Sequence, residues 1–205
     1  MDPFQTRRLG NTSVELPQFG FGGAPLGELF EKVEEEQSSE TLNAAYSSGI
    51  RYFDTAPWYG HGLSEHRTGG LLRRYPRNEF LLSTKVGRIY KAFPGDPEDF
   101  VGHPWVGGLP FELKFDYSAT GFQRSFEDST LRLGLNRIDL LIIHDLDQGY
   151  HGDSVSEKLH QLESGIQWLK EIRRSGIIGG FGAGINDAEM MPKLLEYFEM
   201  DFFLV

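Results

Sequence analysis

The apolar residues of the chain follow two spacings that alternate along the sequence. Short apolar runs bounded by glycine, proline or polar clusters predict β-strands, and apolar residues three or four positions apart predict helices. Six strands are predicted, at 16–22, 51–54, 80–85, 137–145, 177–184 and 201–205. Five helices are predicted, at 38–49, 64–75, 122–134, 156–176 and 187–198. Because alternating strands and helices are typical of a parallel sheet covered by helices, the pattern predicts an α/β domain.

The number of strands leaves two architectures open, a doubly wound open sheet and a (β/α)8 barrel. A complete barrel typically needs ~250 residues, and this chain has 205. We therefore predict one domain over 1–205, either a six-stranded open sheet or a barrel truncated after about six strands.

One segment interrupts the alternation. Residues 86–119, "VGRIYKAFPGDPEDFVGHPWVGGLPFELKFDYSA", are rich in glycine, proline and aromatic residues. Connections between a strand and the next helix usually have about 2–6 residues. We predict that 86–119 is a long active-site loop that covers the site; the alternative is a disordered insertion.

Composition excludes several classes of protein. Apolar residues make up 39% and charged residues 24%, as in globular domains, and no apolar run reaches the length of about 18–20 residues that a membrane helix needs. The formal net charge of −10 disfavours binding to nucleic acid, whose phosphates would be repelled. Cysteine is absent, which excludes disulfides and fits the cytoplasmic location that we predict. Nothing in the sequence predicts the oligomeric state.

Four residues able to carry chemistry fall at the carboxyl ends of predicted strands or just beyond. Asp54, Lys85 and His144 lie at the ends of three strands, and Tyr59 lies in the loop after Asp54. Each has an ordinary structural alternative: a turn cap, a strand end reaching solvent, a core histidine and a packing aromatic. Because carboxyl ends of parallel strands share one edge, the conjunction of the four favours an active site.

The four side chains together suit proton transfer at an oxygen. A free phenol has a pKa of about 10, and a neighbouring ammonium group favours the phenolate. A buried lysine stays charged when a carboxylate lies beside it, which is the role predicted for Asp54. An imidazole such as His144 can orient a substrate oxygen. Such a set fits a carbon that exchanges hydride, and the hydride carrier must be a cofactor.

Other templates are missing from the sequence. A GxGxxG fingerprint fails because Pro25 and Ile185 stand where its third glycine would be. The chain has no P-loop, no GxSxG and no HExxH. We predict no metal site, since His61 and His66 form no ligand pattern. A nicotinamide cofactor would have to bind without a Rossmann fingerprint, which disfavours the doubly wound sheet.

At these motifs the sequence resembles the aldo-keto reductases. The resemblance runs through "RRLGNTSVELPQFGFGGAPLG", "IRYFDTAPWYGHGLSE", "FLLSTKVGR", "FEDSTLRLGLNRIDLLIIHD" and "GGFGAGIN". It implies a (β/α)8 barrel, NAD or NADP as cofactor, and a catalytic tetrad of Asp54, Tyr59, Lys85 and His144. With it we predict substrate contacts at Trp58, Tyr59 and His144, and cofactor contacts at Gly22, Gly23, Ala24, Asp54 and Asn186.

Within the family, "GGLPFELKFDYS", "RSFEDS", "IHDLDQGYHG" and "GAGIN" are most similar to the aldose 1-dehydrogenase branch. That branch includes L-fucose, D-threo-aldose and L-galactose dehydrogenases, with pyridoxal 4-dehydrogenase close by. The resemblance implies oxidation of an aldose at C1 to the lactone with Tyr59 as base, or interconversion of a small aldehyde or ketone and an alcohol. The alternatives are a pyridoxal 4-dehydrogenase and a nucleotide-binding or regulatory member without useful turnover.

The chain departs from the family pattern at two places. Gly184 and Ile185 precede Asn186 where the family usually has Ser-Asn, so only the asparagine contact to the nicotinamide carboxamide is expected. The chain also stops at the sixth strand, before the two strands that hold the cofactor phosphates and decide between NAD and NADP. Because a barrel without these strands would expose two sheet edges, we expect the 205 residues to be part of a longer enzyme.

Overall fold

The computed structural model describes residues 4–205 and shows a parallel sheet with helices packed along it. Within these residues the strands are β1 (Thr6–Arg8), β2 (Glu15–Pro17), β3 (Phe21–Gly22), β4 (Tyr52–Asp54), β5 (Leu81–Val86), β6 (Arg88–Ala92), β7 (Phe111–Phe115), β8 (Leu140–His144), β9 (Gly180–Gly184) and β10 (Phe202–Leu204). The α-helices are α1 (Glu35–Ser47), α2 (Leu63–Leu72), α3 (Ala119–Leu133), α4 (Gln148–His151), α5 (Val155–Arg174) and α6 (Met190–Tyr197).

Six of the strands form the main sheet, in the order β10-β9-β8-β5-β4-β3. Every neighbouring pair in it is parallel, and helices connect most successive strands. Because its strands lie side by side in chain order and are all parallel, the sheet has the topology of a (β/α)8 barrel, open between β3 and β10 over the described residues. The predicted α/β class and the barrel reading of the six strands are confirmed.

The core lies between the sheet and its helices. All five residues of β8 are buried, as expected of a parallel strand covered on both faces. Helix α3 begins where Ser118 Oγ accepts the N–H of Gly121 and ends at Gly134, whose φ of 63° lies in the left-handed region. Between these two caps α3 packs against β5 and β6. No helix among residues 4–205 is both long and apolar enough to span a membrane.

The prediction of one strand over 16–22 is wrong. The segment contains the end of an antiparallel hairpin, β1–β2, and then the short strand β3 in the main sheet. The hairpin loop packs at the amino ends of β9 and β10, where a Cβ on Gly179 would lie 2.5 Å from Val14 Cγ2. The hairpin therefore closes the end of the sheet that is opposite to the predicted site.

The segment 86–119 contains regular structure. β6 and β7 pair as an antiparallel hairpin, and a 3-10 helix spans Pro97–Asp99. The chain between the two strands folds back on the loops after β3 and β4. There the N–H of Val106 donates to Glu28 O at 2.9 Å and the N–H of Leu109 donates to Gly60 O at 3.0 Å.

Candidate active site

A buried ion pair lies at the carboxyl edge of the sheet. Lys85 Nζ donates to Asp54 Oδ2 at 2.7 Å and to Thr55 O at 3.0 Å. The Lys85 side chain is 2% exposed and the Asp54 side chain 14%. Ser83 Oγ donates to the other carboxylate oxygen, Asp54 Oδ1, at 2.6 Å. Both oxygens of Asp54 are thus fixed, and the carboxylate holds the lysine in place.

The surroundings of Lys85 keep its amine charged. Burial alone would lower the pKa of the ammonium, but the charge of Asp54, the neighbouring Tyr59 and hydrogen bonding to them outweigh it. The pKa of Lys85 is therefore raised above its ordinary value. A positive charge persists in the interior at every physiological pH.

Tyr59 lies directly over this charge. Lys85 Nζ is 4.6 Å from the centroid of the Tyr59 ring. The loop that carries Tyr59 is packed tightly against the segment after β3: a Cβ on Gly27 would lie 2.4 Å from Tyr59 C and from Gly60 N. Only glycine permits this approach of two backbones, and the approach fixes the position of the phenol.

His144 completes the group. Its ring lies 5.9 Å from that of Tyr59, with 84° between the ring planes. Burial first, and then the positive charges of Lys85 and Arg88, lower the pKa of His144 well below its ordinary value. The imidazole is therefore neutral, and its buried Nδ1 has no hydrogen-bond partner among the described residues. An unpaired buried nitrogen here is a group that a ligand oxygen can satisfy.

Aromatic rings form a wall above these residues. The Trp58 ring lies 6.0 Å from His144 and 5.4 Å from Trp105, which comes from the segment 86–119. Tyr150 lies 5.6 Å from Trp58, and Trp105 lies 5.6 Å from Tyr59. Such a wall presents apolar surface beside the phenol and the imidazole.

The residues predicted to contact the cofactor lie along the same edge. Gly22 is in register with Asp54 across the β3–β4 pair, and the N–H of Gly23 donates to Asp54 O at 2.8 Å. Ala24 begins a 3-10 helix, Ala24–Gly27. Asn186 follows β9, and its Nδ2 donates to Asp145 Oδ1 at 3.2 Å and to Asp147 Oδ2 at 3.3 Å.

Two observations fit the nicotinamide end of such a cofactor. A Cβ on Gly22 would meet no atom within 4 Å, so there is open space beside Asp54. Asn186 Nδ2 donates to the carboxylates of Asp145 and Asp147, so its Oδ1 remains available as an acceptor. The carboxamide N–H of a nicotinamide could donate to this oxygen. In the part of the chain that the structure describes, no three His, Asp or Glu side chains converge as metal ligands.

Sequence reasoning missed Arg88, Asp145, Trp105 and Tyr150. Asp145 is adjacent to His144 in "IIHDLD", and Arg88 follows Lys85 closely in "STKVGR". Adjacency to a predicted catalytic residue was the available signal for these two. Trp105 reaches the site through the folding of the segment 86–119, and Tyr150 lies on α4. No spacing of residues in the sequence predicts the position of either side chain.

Comparison with known proteins agrees with this geometry. The sequence profile described as the aldo/keto reductase family matches residues 18–205. The chain belongs to the aldo/keto reductase family. It is 39% identical over 206 residues to the pyridoxal 4-dehydrogenase of Microbacterium luteolum and 33% identical over 194 residues to the D-threo-aldose 1-dehydrogenase of a Pseudomonas species. The predicted family and its dehydrogenase branch are confirmed.

Solved structures show the same fold. An aldo-keto reductase from Bacillus halodurans in its holo form superposes with a TM-score of 0.72 at 22% identity, over 98% of this chain and 56% of that one. The glycerol dehydrogenase of Gluconobacter oxydans gives a TM-score of 0.68 at 24% identity, over 97% of this chain and 54% of that one. At these identities the likeness concerns the fold alone.

The matches cover nearly all of this chain and a smaller part of each relative. The alignments cover 96% and 94% of this chain, but only 60% of the pyridoxal 4-dehydrogenase and 57% of the D-threo-aldose 1-dehydrogenase. This aldo/keto reductase chain thus shares with those enzymes the part that contains Asp54, Tyr59, Lys85 and His144.

Proposed function

We propose that this aldo/keto reductase is an NAD(P)-dependent dehydrogenase in which Asp54, Tyr59, Lys85 and His144 are the catalytic residues. One observation carries the proposal. The Lys85 ammonium is buried, bonds Asp54 at 2.7 Å and stands 4.6 Å from the centre of the Tyr59 ring. A buried cation held by a carboxylate beneath a phenol is the arrangement that proton transfer at a carbonyl or hydroxyl oxygen requires.

Each catalytic residue has a separate role in the proposed reaction. When bound, NAD or NADP accepts hydride from the carbon that is oxidised. Tyr59 takes the proton of the substrate hydroxyl in the oxidative direction, and Lys85 stabilises the phenolate form that does so. Neutral His144, whose ring lies 5.9 Å from that of Tyr59, would orient the same oxygen. Asp54 keeps Lys85 charged, so that none of this depends on a proton leaving the amine.

Gly22, Gly23, Ala24, Asp54 and Asn186 would hold the nicotinamide end of the cofactor. The open space beside Gly22 and the available Oδ1 of Asn186 support this assignment. Trp58, Tyr59 and His144 would contact the substrate, with Trp105 of the segment 86–119 closing the site over them.

We propose a cyclic aldose as the substrate, oxidised at C1 to the lactone. The ring of a sugar offers C–H groups to the wall of Trp58 and Trp105 and a hydroxyl to Tyr59. Pyridoxal is the second candidate, because the relative at 39% identity is a pyridoxal 4-dehydrogenase. We further propose a cytoplasmic location without a nucleic-acid partner, on the lack of cysteine and the net charge of −10.

A substrate panel tests the proposal. The protein is assayed for reduction of NAD⁺ and NADP⁺ with a set of aldoses, small alcohols and pyridoxal. With the substrate that turns over best, we expect Tyr59→Phe to lower kcat by about 10²–10⁴, the usual contribution of a general acid or base. Tyr197→Phe is the matched control, since Tyr197 on α6 is 66% exposed. Nucleotide binding without turnover of any substrate would favour the regulatory alternative instead.

A further inference from the structure

Arg88 is a buried cation that the proposed reaction does not use. It begins β6, three residues after Lys85, and its side chain is 7% exposed. Arg88 Nη2 donates to Asp145 Oδ2 at 2.5 Å, and the Asp145 side chain is also 7% exposed. The pair therefore joins the segment 86–119 to the residue that follows His144 at the end of β8.

The same guanidinium group lies among aromatic rings. Arg88 Cζ is 4.0 Å from the centroid of Trp58, 4.4 Å from that of Phe115 and 5.2 Å from that of Tyr150. A planar cation is attracted to the faces of such rings. Arg88 thus fixes Trp58, which forms part of the wall beside Tyr59 and His144.

Asp145 connects this cation to the site. Its backbone has φ of 53°, in the left-handed region that a residue other than glycine seldom adopts. Oδ2, which accepts from Arg88, lies 3.4 Å from His144 Nε2, and Oδ1 accepts from Asn186 Nδ2. One carboxylate therefore faces the guanidinium, the imidazole and the predicted cofactor residue.

The geometry points to Arg88 as a positioning residue of the dehydrogenase. By pairing with Asp145, Arg88 holds His144 and Trp58 in their places and keeps the carboxylate charge from acting on the imidazole. The inference rests on the proposed function, because it is there that His144 contacts the substrate.

The charges around His144 explain why the pairing matters. The groups that face the imidazole are Lys85 from β5, Arg88 from β6, Asp145 beside it and the phenol of Tyr59. Burial and the two cations lower the pKa of His144. Asp145 is the carboxylate beside the ring, with Oδ2 3.4 Å from Nε2, and it is paired with Arg88. With Arg88 removed, the unpaired carboxylate of Asp145 would attract a proton, and the proton would be shared between Asp145 and His144.

Imidazole NMR titration of the protein tests this without requiring turnover. The chain has six histidines, and His144→Gln identifies the signals of His144. In the wild type we expect the ring to stay neutral down to the lowest pH at which the fold is intact. In Arg88→Gln we expect a titration of the ring to appear at higher pH, within the range in which the fold is intact, as expected for loss of a nearby positive charge.

Three further variants separate charge from general damage. Arg88→Lys keeps the charge and should keep the wild-type titration. Arg88→Gln combined with Asp145→Asn should return it to the wild-type range, since asparagine has no charge and tolerates the left-handed backbone. Arg132→Gln is the matched control: Arg132 is mostly buried, with its side chain 13% exposed, pairs with Glu65 at 2.6 Å and lies 4.2 Å from the Tyr90 ring. It should lower stability and leave the signal of His144 unchanged.

Kinetics supply the second readout. In Arg88→Gln we expect kcat to fall about 10-fold or more, with its acid limb moved to higher pH, and Arg88→Lys should restore the limb. If Arg88→Gln lowers stability as Arg132→Gln does and leaves the titration of His144 where it was, the positioning role is wrong and Arg88 only supports the fold. If the wild type turns over no substrate, the proposed function fails, and the NMR titration still decides the role of Arg88.

Discussion

A charged amine in the interior of a protein is stable only while its partner remains. Lys85 has that partner in Asp54, and the two side chains are 2% and 14% exposed. Removing one member of a buried pair leaves an uncompensated charge, whereas replacing both removes the charge altogether. The stability and the activity of the pair can therefore be separated by mutation.

We predict that Asp54→Asn and Lys85→Met each lower the free energy of unfolding by roughly 3 kcal/mol, the typical cost of breaking a buried pair. The double variant should recover much of the lost stability, because no charge then remains buried. It should stay as inactive as Lys85→Met, since the ammonium beneath Tyr59 is missing. Urea unfolding and nucleotide reduction measure the two quantities on the same samples.

An exposed pair serves as control for that experiment. Arg124 and Asp128 on α3 lie 3.7 Å apart with side chains 56% and 31% exposed. Asp128→Asn should change stability by less than about 0.5 kcal/mol. A double variant at Asp54 and Lys85 that regained activity would contradict the role given to the ammonium.

Between elements, the contact of α2 with α3 depends on one of two adjacent glycines. A Cβ on Gly69 would lie 2.2 Å from Leu133 O and 2.7 Å from Leu133 C, both backbone atoms that cannot rotate away. A Cβ on Gly70 would meet nothing within 4 Å. The two residues thus share a helix and differ only in what they face.

We predict opposite effects of alanine at these positions. Gly70→Ala should stabilise the protein by about 0.5–1 kcal/mol, because alanine favours the helix and restricts the unfolded chain. Gly69→Ala should destabilise it by roughly 1–3 kcal/mol, because α2 must move away from α3. Urea midpoints of the two variants and the wild type give the answer, and equal signs would show that the packing of α2 on α3 is looser than described.

The sequence pattern predicted the long strands and helices and missed the two short hairpins. The bounds of β8 and α5 were predicted to within a few residues, because the apolar run of β8 is continuous and α5 repeats its apolar positions over a long helix. The hairpin β1–β2 was missed because its three-residue strands are too short to alternate. The pairing of β6 with β7 was missed because the two strands are joined by the long stretch 93–110. Only a tight turn has a sequence signature that predicts a hairpin.

The missed pairing of β6 with β7 explains two of the four residues that were missed at the site, Arg88 and Trp105. Asp54, Lys85 and His144 end strands of the main sheet, so their convergence follows from the strand–helix alternation. Arg88 and Trp105 reach the site only through the folding of 86–119, which depends on contacts between distant segments. The sequence pattern predicts which edge of the sheet carries the site, but it does not predict which side chains of the segment 86–119 reach that edge.

For the molecule as a whole, the titrating groups define a window of stability. Burial, the largest cause in each case, lowers the pKa of four histidines, at positions 61, 66, 144 and 151. Each binds fewer protons folded than unfolded, so stability falls as the pH drops below about 6.5, the unfolded value. Asp145 acts in the opposite sense because burial raises its pKa, and it moderates the loss at the acid end.

At alkaline pH the tyrosines and Lys85 act together. Burial raises the pKa of Tyr52 and of Tyr150 to about 12 and raises those of Tyr90 and Tyr117 well above 10.0. The folded state keeps these protons after the unfolded state has released them, so stability falls as the pH rises from about 10 towards 12. Lys85, whose pKa is also raised, contributes in the same direction above its ordinary 10.5.

We therefore predict a plateau of stability between about pH 7 and pH 9.5, with a decline on both sides that has different causes. The free energy of unfolding from urea titrations should be lower at pH 5 than at pH 8 by at least about 1 kcal/mol. The reason is that these histidines bind protons in the unfolded chain that they do not bind in the folded protein. His144→Gln removes one of those histidines and should flatten the acid decline, while Tyr52→Phe should flatten the alkaline one. The two variants must act on separate limbs, because each removes a group that titrates on one side only. A His144→Gln protein with an unchanged acid limb would mean that this imidazole takes up a proton inside the fold, and the neutral His144 on which the catalytic proposal depends would have to be given up.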